Sequence, residues 1–332
     1  MNRWFVLVLS SCLVACPSDP PAEGWALVHT GLSGALLSVW GTSASDVWAV
    51  GADARDGSGP TVIHFDGEAW ERVPTGEAQG NLWWVFGFDQ GPIYMGGEGG
   101  VILRYEAGEY THMTTPGTNT VFGIWGATPD DLWAVGGASD STGAFAWRLE
   151  GDTWTPEPTL PAEVPTDASL WKVHGTATDD AWLVGSSGVA LHWDGTTLTP
   201  GDTGVGASLF TVHADDAGRY AAVGGSATGI IVEYEGTQWT NVTPDPPPPG
   251  LTGVALGQDG FGIAVGTFGA VYARSNAGWA AEELGFNLGL SLHGAWIDDQ
   301  GGVWVVGGQV FSPPYNDGVL IHRGASIPTG GL

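Results

Sequence analysis

Chemistry in this chain would have to come from a few histidines, recurrent aspartates and a handful of cations. His64, His192 and His322 stand in matching contexts, VIHF, ALHW and LIHR. Other copies of the same context carry Arg104, Glu233 or Trp147 instead. One imidazole per copy does not converge into the three or four ligands of a zinc centre. His174 and His213 occupy a slot that Trp40, Trp125 and Trp296 fill elsewhere. They read either as packed core imidazoles or as an interacting pair. Aspartates recur as Asp130-Asp131, Asp179-Asp180, Asp215-Asp216 and Asp298-Asp299, with Asp46 in the same slot of an earlier copy. Each set flanks an apolar run, so the expected role is turn formation, with carboxylates capping nearby amides. Calcium would need six or more converging oxygens, and no such loop spacing is present. Lys172 is the only lysine. No nucleophile motif or phosphate-binding loop stands out, and no cofactor or metal is expected.

The elements that must position these residues are repeats. WGTSASDVWAVG (40–51) returns as WGATPDDLWAVG (125–136) and HGTATDDAWLVG (174–185). The apolar runs before these phrases begin at Leu36, Leu82, Val121, Leu170, Leu209, Leu251 and Leu292, with spacings of 46, 39, 49, 39, 42 and 41 residues. That is the period of a β-propeller blade. In each unit a second run (VWAVG, 47–51, in the first) and a third (TVIHFDG, 61–67) follow. An Asp-Gly-like turn and usually a Trp or Tyr then open a fourth. The runs are short, rich in β-branched and aromatic residues, and lack helical period. The expected fold is all-β: a seven-bladed propeller of four-stranded antiparallel blades over residues 24–332. The seventh unit ends without a fourth strand. Residues 24–31, GWALVHTG, resemble AWERVPTG (69–76) and precede the first inner strand. They are expected to close the ring by pairing with the last blade. Trp48, Tyr94, Trp133, Trp182 and Trp304 should form one aromatic column, replaced by Ala221 and Ile263 in blades 5 and 6. Those two blades are expected to be the looser part of the ring.

Binding residues are sought on the face that carries the long loops between second and third strands. Those of blades 1 and 7, ADARDGSGP (52–60) and QVFSPPYND (309–317), become neighbours on closure. They offer Asp53, Arg55, Asp56, Phe311, Tyr315 and Asp317 on one rim. At the mouth on the same face the inner strands begin with Trp83, Trp84, Phe122, Trp171, Lys172, Phe210 and His293. Of these, Trp84, Trp171 and Lys172 are taken as binding candidates.

The repeat phrase, an aromatic-Gly pair, an Asp and then [VLA]-W-[AL]-V-G, resembles bacterial propellers grouped with BNR, Asp-box or two-component-regulator-type repeats. An intact Asp box, S-x-D-x-G-x-T-W, is absent. The resemblance covers about residues 24–332 and implies a fold, not a function. Galactose-oxidase-type copper chemistry needs a Tyr–Cys crosslink, for which no cysteine is available in the propeller. A sialidase needs a converging arginine triad. Arg55, Arg72, Arg104, Arg148, Arg219, Arg274 and Arg323 show no such set.

The first residues read as an address. MNRWFVLVLSSCLVAC has a basic n-region, a short apolar run and Leu13-Val14-Ala15-Cys16, followed at once by polar PSDPPAEG. This resembles the bacterial lipobox. It implies a signal peptide over 1–15, lipid on Cys16 and a tether over 16–23. Several acyl chains on one residue suffice for stable membrane anchoring. Pro17 rather than Asp after the cysteine leans towards the outer membrane. Without Arg3, eight basic residues face 36 acidic ones, a net of −28. Such a surface repels phosphate backbones, so nucleic acid is not an expected partner. The expectation is a monomeric, lipid-anchored envelope module that binds or scaffolds a protein, or else a glycan. The alternative is a polysaccharide hydrolase or lyase using Asp53, Asp56 and Asp317.

Overall fold

The computed structural model describes residues 24–138, 143–156, 159–329 and 331–332. The expected signal peptide, Cys16 and the tether lie outside the described residues. Seven four-stranded antiparallel sheets form the ring. Their inner strands are Leu36–Ser43, Leu82–Gly87, Thr120–Thr128, Leu170–Ala177, Leu209–Ala214, Leu251–Leu256 and Ser291–Ile297, defining blades 1 to 7. Each begins at, or one residue before, the position that the repeat spacing indicates. The only helical pieces among the described residues are four three-residue 3-10 turns.

Closure takes the expected route. Trp25–Leu32 pairs antiparallel with Gly318–Arg323, with Trp25 opposite Arg323 and Leu32 opposite Gly318. The joint is also tied sideways to blade 6. Glu282 accepts from the Trp25 indole at 2.7 Å and from Arg323 at 2.5 Å.

The repeat phrase has a packing cause. Its tryptophans pair across the two innermost strands: Trp40 faces Trp48, Trp125 faces Trp133 and Trp296 faces Trp304. Trp40 then lies against Gly87 of the next blade, where a Cβ would sit 2.8 Å from the ring. Trp125 lies in the same way on Gly175, at 2.5 Å. At these joints the glycine after the aromatic slot of an inner strand is the seat for the preceding blade's indole. Trp48, Trp133, Trp182, Trp304 and Tyr94 are all buried. A fully buried Trp contributes up to about 4–6 kcal/mol by area.

Blades 5 and 6 fill the missing column differently. Ala221 and Ile263 are wholly buried. Ala221 pairs with Glu233, whose carboxylate takes a bidentate grip from Arg274 of blade 6 (2.6 and 3.0 Å) and a bond from the Trp279 indole (2.7 Å). The expected looseness is therefore met by a buried ion pair that bridges the two blades. Breaking one side of such a pair typically costs about 3–5 kcal/mol.

Ring closure is testable by truncation. Removing residues 24–31 takes away buried Trp25 and Val28 and leaves the outer edge of the third strand of blade 7 unpaired. The melting temperature should fall by about 10 °C or more. An unchanged melting temperature would contradict the pairing.

Candidate functional site

In every blade the register between inner and second strand slips at the same place. The slips lie at Leu36/Ser38, Leu82/Trp84, Val121/Gly123, Leu170/Lys172, Leu209/Thr211, Leu251/Gly253 and Leu292/Gly294. A bulge leaves one residue unpaired and re-aims its side chain. Here that residue is Leu37, Trp83, Phe122, Trp171, Phe210, Thr252 or His293. Because the inner strands converge on the ring axis, seven bulges set seven side chains around one opening. Six of them line a basin of about 610 Å³. The seventh, Leu37, is buried beneath it with Ala35, Ala52 and Val310, against Trp83 and Tyr315. That volume lies within the range of ligand sites.

The floor is aromatic on one side. Trp83 meets Phe122 edge-on at 5.4 Å, Phe122 meets Trp171 at 4.7 Å, and Trp171 meets Phe210 at 6.1 Å. Trp83 also touches Tyr315 and His293. The wall is supplied by loops of blades 5, 6 and 7 through Ser226, Thr267, Phe268, Val310 and Phe311. Phe268 is 85% exposed and Phe311 56%. Both rings stand free over the floor.

Lys172 follows the bulge of blade 4 and is 5% exposed. Its Nζ donates to the Phe122 carbonyl at 2.6 Å and lies 4.4 Å from the centre of the Trp84 ring. Burial pushes its ammonium down to about 7. Across the opening, His293 donates Nδ1–H to the Leu37 carbonyl at 2.6 Å, which leaves Nε2 as the unprotonated nitrogen of the neutral ring. Burial, and then the charge of Lys172, lower His293 to about 4.

The structure divides the expected single rim in two. Phe311, Tyr315, Trp171 and Lys172 come together in the basin. Trp84 does not line it. Its indole donates to the Ile124 carbonyl at 2.8 Å, and the ring packs between blades 2 and 3. Asp53 and Arg55 face the other way, into a polar groove with Glu77, Asn81 and Glu98 of the blade 1–2 side. Asp53 accepts from the amides of Arg55 (2.7 Å) and Gly80 (3.2 Å), so it is drawn towards blade 2 rather than blade 7. Asp56 accepts from the Ser58 hydroxyl and amide, and these bonds hold its carboxyl below the usual range. Asp317 is exposed in a left-handed turn leading back into the third strand. Phe268, Val310 and Thr252 were not singled out from sequence. The signal for Thr252 was its column, second in each inner run; Phe268 had none.

The histidines and aspartates prove to be partners of one another. His64 donates to Asp46 at 2.6 Å and stacks on Trp48, whose indole also reaches Asp46. His192 donates to Asp180 at 2.7 Å, and Tyr220 of the next blade does so at 2.8 Å. Arg148 pairs with Asp131 while lying over Trp133. His322 lies on Trp304, whose indole donates to Asp298. The turn-capping expectation holds for Asp215 and Asp298, which accept local amides, and is corrected for Asp46, Asp131 and Asp180. Burial pushes the Asp46 and Asp180 carboxyls up, but hydrogen bonds from the His, Thr and other side chains win and hold both below the usual range. Such networks recur in blades 1, 3, 4 and 7 as fastenings within the sheet. Among the described residues no group of His, Cys, Asp and Glu is placed to hold a metal ion.

His174 and His213 form a tilted ring pair with centroids 4.1 Å apart. Each accepts on Nδ1 from the inner strand of the next blade, at Ala214 (3.1 Å) and Leu256 (3.2 Å). Both rings are therefore neutral. Burial lowers His213 to about 4 and drives His174 well below its ordinary value.

No known protein family and no curated protein matches the chain. Solved structures do. The chain is similar to RRP9 WD40 repeats (11% identity, TM-score 0.70, covering 92% of this chain and 99% of that one). It is similar to YCF48 bound to D1 peptide (14%, 0.66, 93% and 100%). It is also similar to virginiamycin B lyase from Staphylococcus aureus (12%, 0.68, 90% and 99%). At these identities the likeness shows the propeller fold. It does not speak to the BNR or Asp-box group.

The neutral histidines set a pH dependence. Their folded values lie below the unfolded value, so between the two the unfolded chain binds more protons. Stability is fully present above about pH 6.5 and is lost as pH falls towards 4. The melting temperature should drop between pH 7 and pH 5, and H174Q/H213Q should flatten that slope. A melting temperature independent of pH in this window would contradict the assignment.

Proposed function

We propose that this chain is a lipid-anchored propeller of the cell envelope that binds a segment of a protein partner in the aromatic basin. The observation that carries the reading is Phe268. Blades 2, 4 and 6 share one tight turn between second and third strands, with Gly99, Ser187 and Phe268 in its left-handed position. Phe268 holds φ at 58°. For a bulky residue this backbone costs roughly 1–2 kcal/mol, which glycine would avoid. The ring recovers little of that by packing, since most of it faces solvent. Strain of this kind, held at the lip of an apolar basin, supports a role in contact with a ligand. Phe311 stands exposed on the same lip, and the aromatic floor offers stacking and apolar area to a peptide. The similar YCF48 structure, bound to a peptide, shows that a propeller of this fold can hold one.

The anchoring half rests on Leu13-Val14-Ala15-Cys16 and the polar residues after it, with the outer membrane as the proposed site. A polysaccharide enzyme working through Asp53, Asp56 and Asp317 finds less support. Asp53 and Asp56 are held by turn amides, and bonding keeps Asp56 ionised, the wrong state for a general acid.

Phe268→Gly separates the two roles of that position. It should leave stability unchanged or raise it by about 1 kcal/mol. Combined with Phe311→Ala, it should reduce recovery of an envelope partner at least about tenfold. Partner capture at wild-type levels by the double variant would contradict the basin, and capture of glycan alone would shift the ligand class. In the same cells Cys16→Ser should move the protein from the membrane to the soluble fraction. Continued membrane attachment would contradict lipidation.

A further inference from the structure

Lys172 is the single lysine of a strongly acidic chain, and the fold sets it where no carboxylate of the described residues bonds to it. By contrast, Arg104, Arg148, Arg219, Arg274 and Arg323 each pair with an Asp or Glu. Lys172 instead meets a backbone carbonyl and the face of an indole. An ammonium has three N–H donors, and only one is engaged by an oxygen. The side chain is more than nine-tenths buried and lines the basin whose other walls are aromatic or neutral. His293, the titratable ring on the opposite side, is neutral and points its Nδ1–H away to Leu37. The lining residues therefore supply one cationic centre and no anion.

We propose that the basin selects a partner segment that carries a carboxylate beside a large apolar or aromatic side chain, with Lys172 as the specificity-determining contact. The inference rests on the basin being the binding site. An apolar body would cover Trp83, Phe122, Trp171 and Phe210. The carboxylate would complete the bonding of the Lys172 ammonium in a setting with little water, where charge-assisted bonds are strong. The overall charge of the protein repels anions at long range, so recognition depends on this buried cation at close range. The same carboxylate chemistry could come from a chain terminus or from a Glu or Asp side chain.

Two consequences follow from the surroundings of the amine. Burial alone sets its titration near 7, so at pH 8 it is mostly neutral. A bound carboxylate favours the ammonium, and binding at pH 8 should draw in close to one proton. Neighbours from blades 2 and 3 are Trp84 and the Phe122 carbonyl, which do not titrate in this range. His293 of blade 7, held near 4, stays neutral at pH 8.

The test uses displacement of the neutral fluorophore N-phenyl-1-naphthylamine by three short peptides. These are N-acetyl-Leu-Phe with a free carboxylate, its carboxamide, and N-acetyl-Glu-Phe-amide. The acid should displace the probe at least about tenfold more tightly than the amide. Lys172→Met should bring the acid to the affinity of the amide and leave the amide unchanged. Should Lys172→Met fail to fold, calorimetry of the wild type at pH 8 in two buffers of different ionisation enthalpy reads proton uptake directly. Uptake near one for the acid and none for the amide supports the proposal. Tight binding of N-acetyl-Glu-Phe-amide would assign the carboxylate to a side chain, and tight binding of N-acetyl-Leu-Phe alone to a terminus. Equal affinities with no proton uptake overturn the role of Lys172 and leave the basin standing. Failure of the fluorophore and of every peptide to bind overturns both.

Discussion

At three joints of the ring an indole of one sheet rests on a glycine of the next. Trp40 on Gly87 and Trp125 on Gly175 show the geometry, and Trp296 on Gly41 carries it across the closure point. The contact asks for both residue types at once. A Cβ at the glycine would collide with the ring, and a smaller residue in place of the tryptophan would leave a void. Where the tryptophan is absent the ring finds other means: the paired rings of His174 and His213, and the Glu233–Arg274 bridge. These substitutes bring polar atoms into the interior, and each polar atom named here has a partner from a neighbouring strand. The Asp–His and Asp–Arg fastenings belong to the same logic. They tie the start of the second strand to the third and so stiffen the sheet that presents the indole.

That packing fixes where the inner strands meet, and the bulge then decides what they show. All seven inner strands slip register just after their leading apolar residue, so a structural irregularity is converted into a ring of side chains around the axis. Nothing in the bulge dictates the residue type. Four adjacent blades place Trp83, Phe122, Trp171 and Phe210 there, whereas the remaining three carry Thr252, His293 and Leu37. The asymmetry gives the basin an aromatic side and a smaller, more polar side, and Lys172 sits at the base of the aromatic one.

Much of the architecture was legible because it is local and periodic. Strand runs, Asp-Gly turns and the Trp-Gly phrase repeat at blade spacing, and GWALVHTG looks like a fourth strand out of place. The site was legible only in part. Trp83 and Trp84 are adjacent, and which of them faces the opening depends on a register slip that leaves no mark in the hydrophobic pattern. Asp46 and His64 lie on different strands, so their pairing is a product of sheet register; the aspartate looked like a turn residue because it is also one step from a turn. Arg55 lies near Tyr315 across the closure point, yet Gly80 and Asn81 hold Asp53 to the blade 2 side. Phe268 resembles any loop aromatic until its backbone conformation is known.

The central claim is that function resides at the mouth of the ring, on the loops that surround the aromatic floor. Hydrogen–deuterium exchange of the protein with and without its captured partner addresses it most directly. The account predicts new protection confined to residues 225–229, 266–270 and 308–317, with the amides of 53–58 unaffected. Protection centred on 53–58, or along the outer strands of the blades, would contradict it.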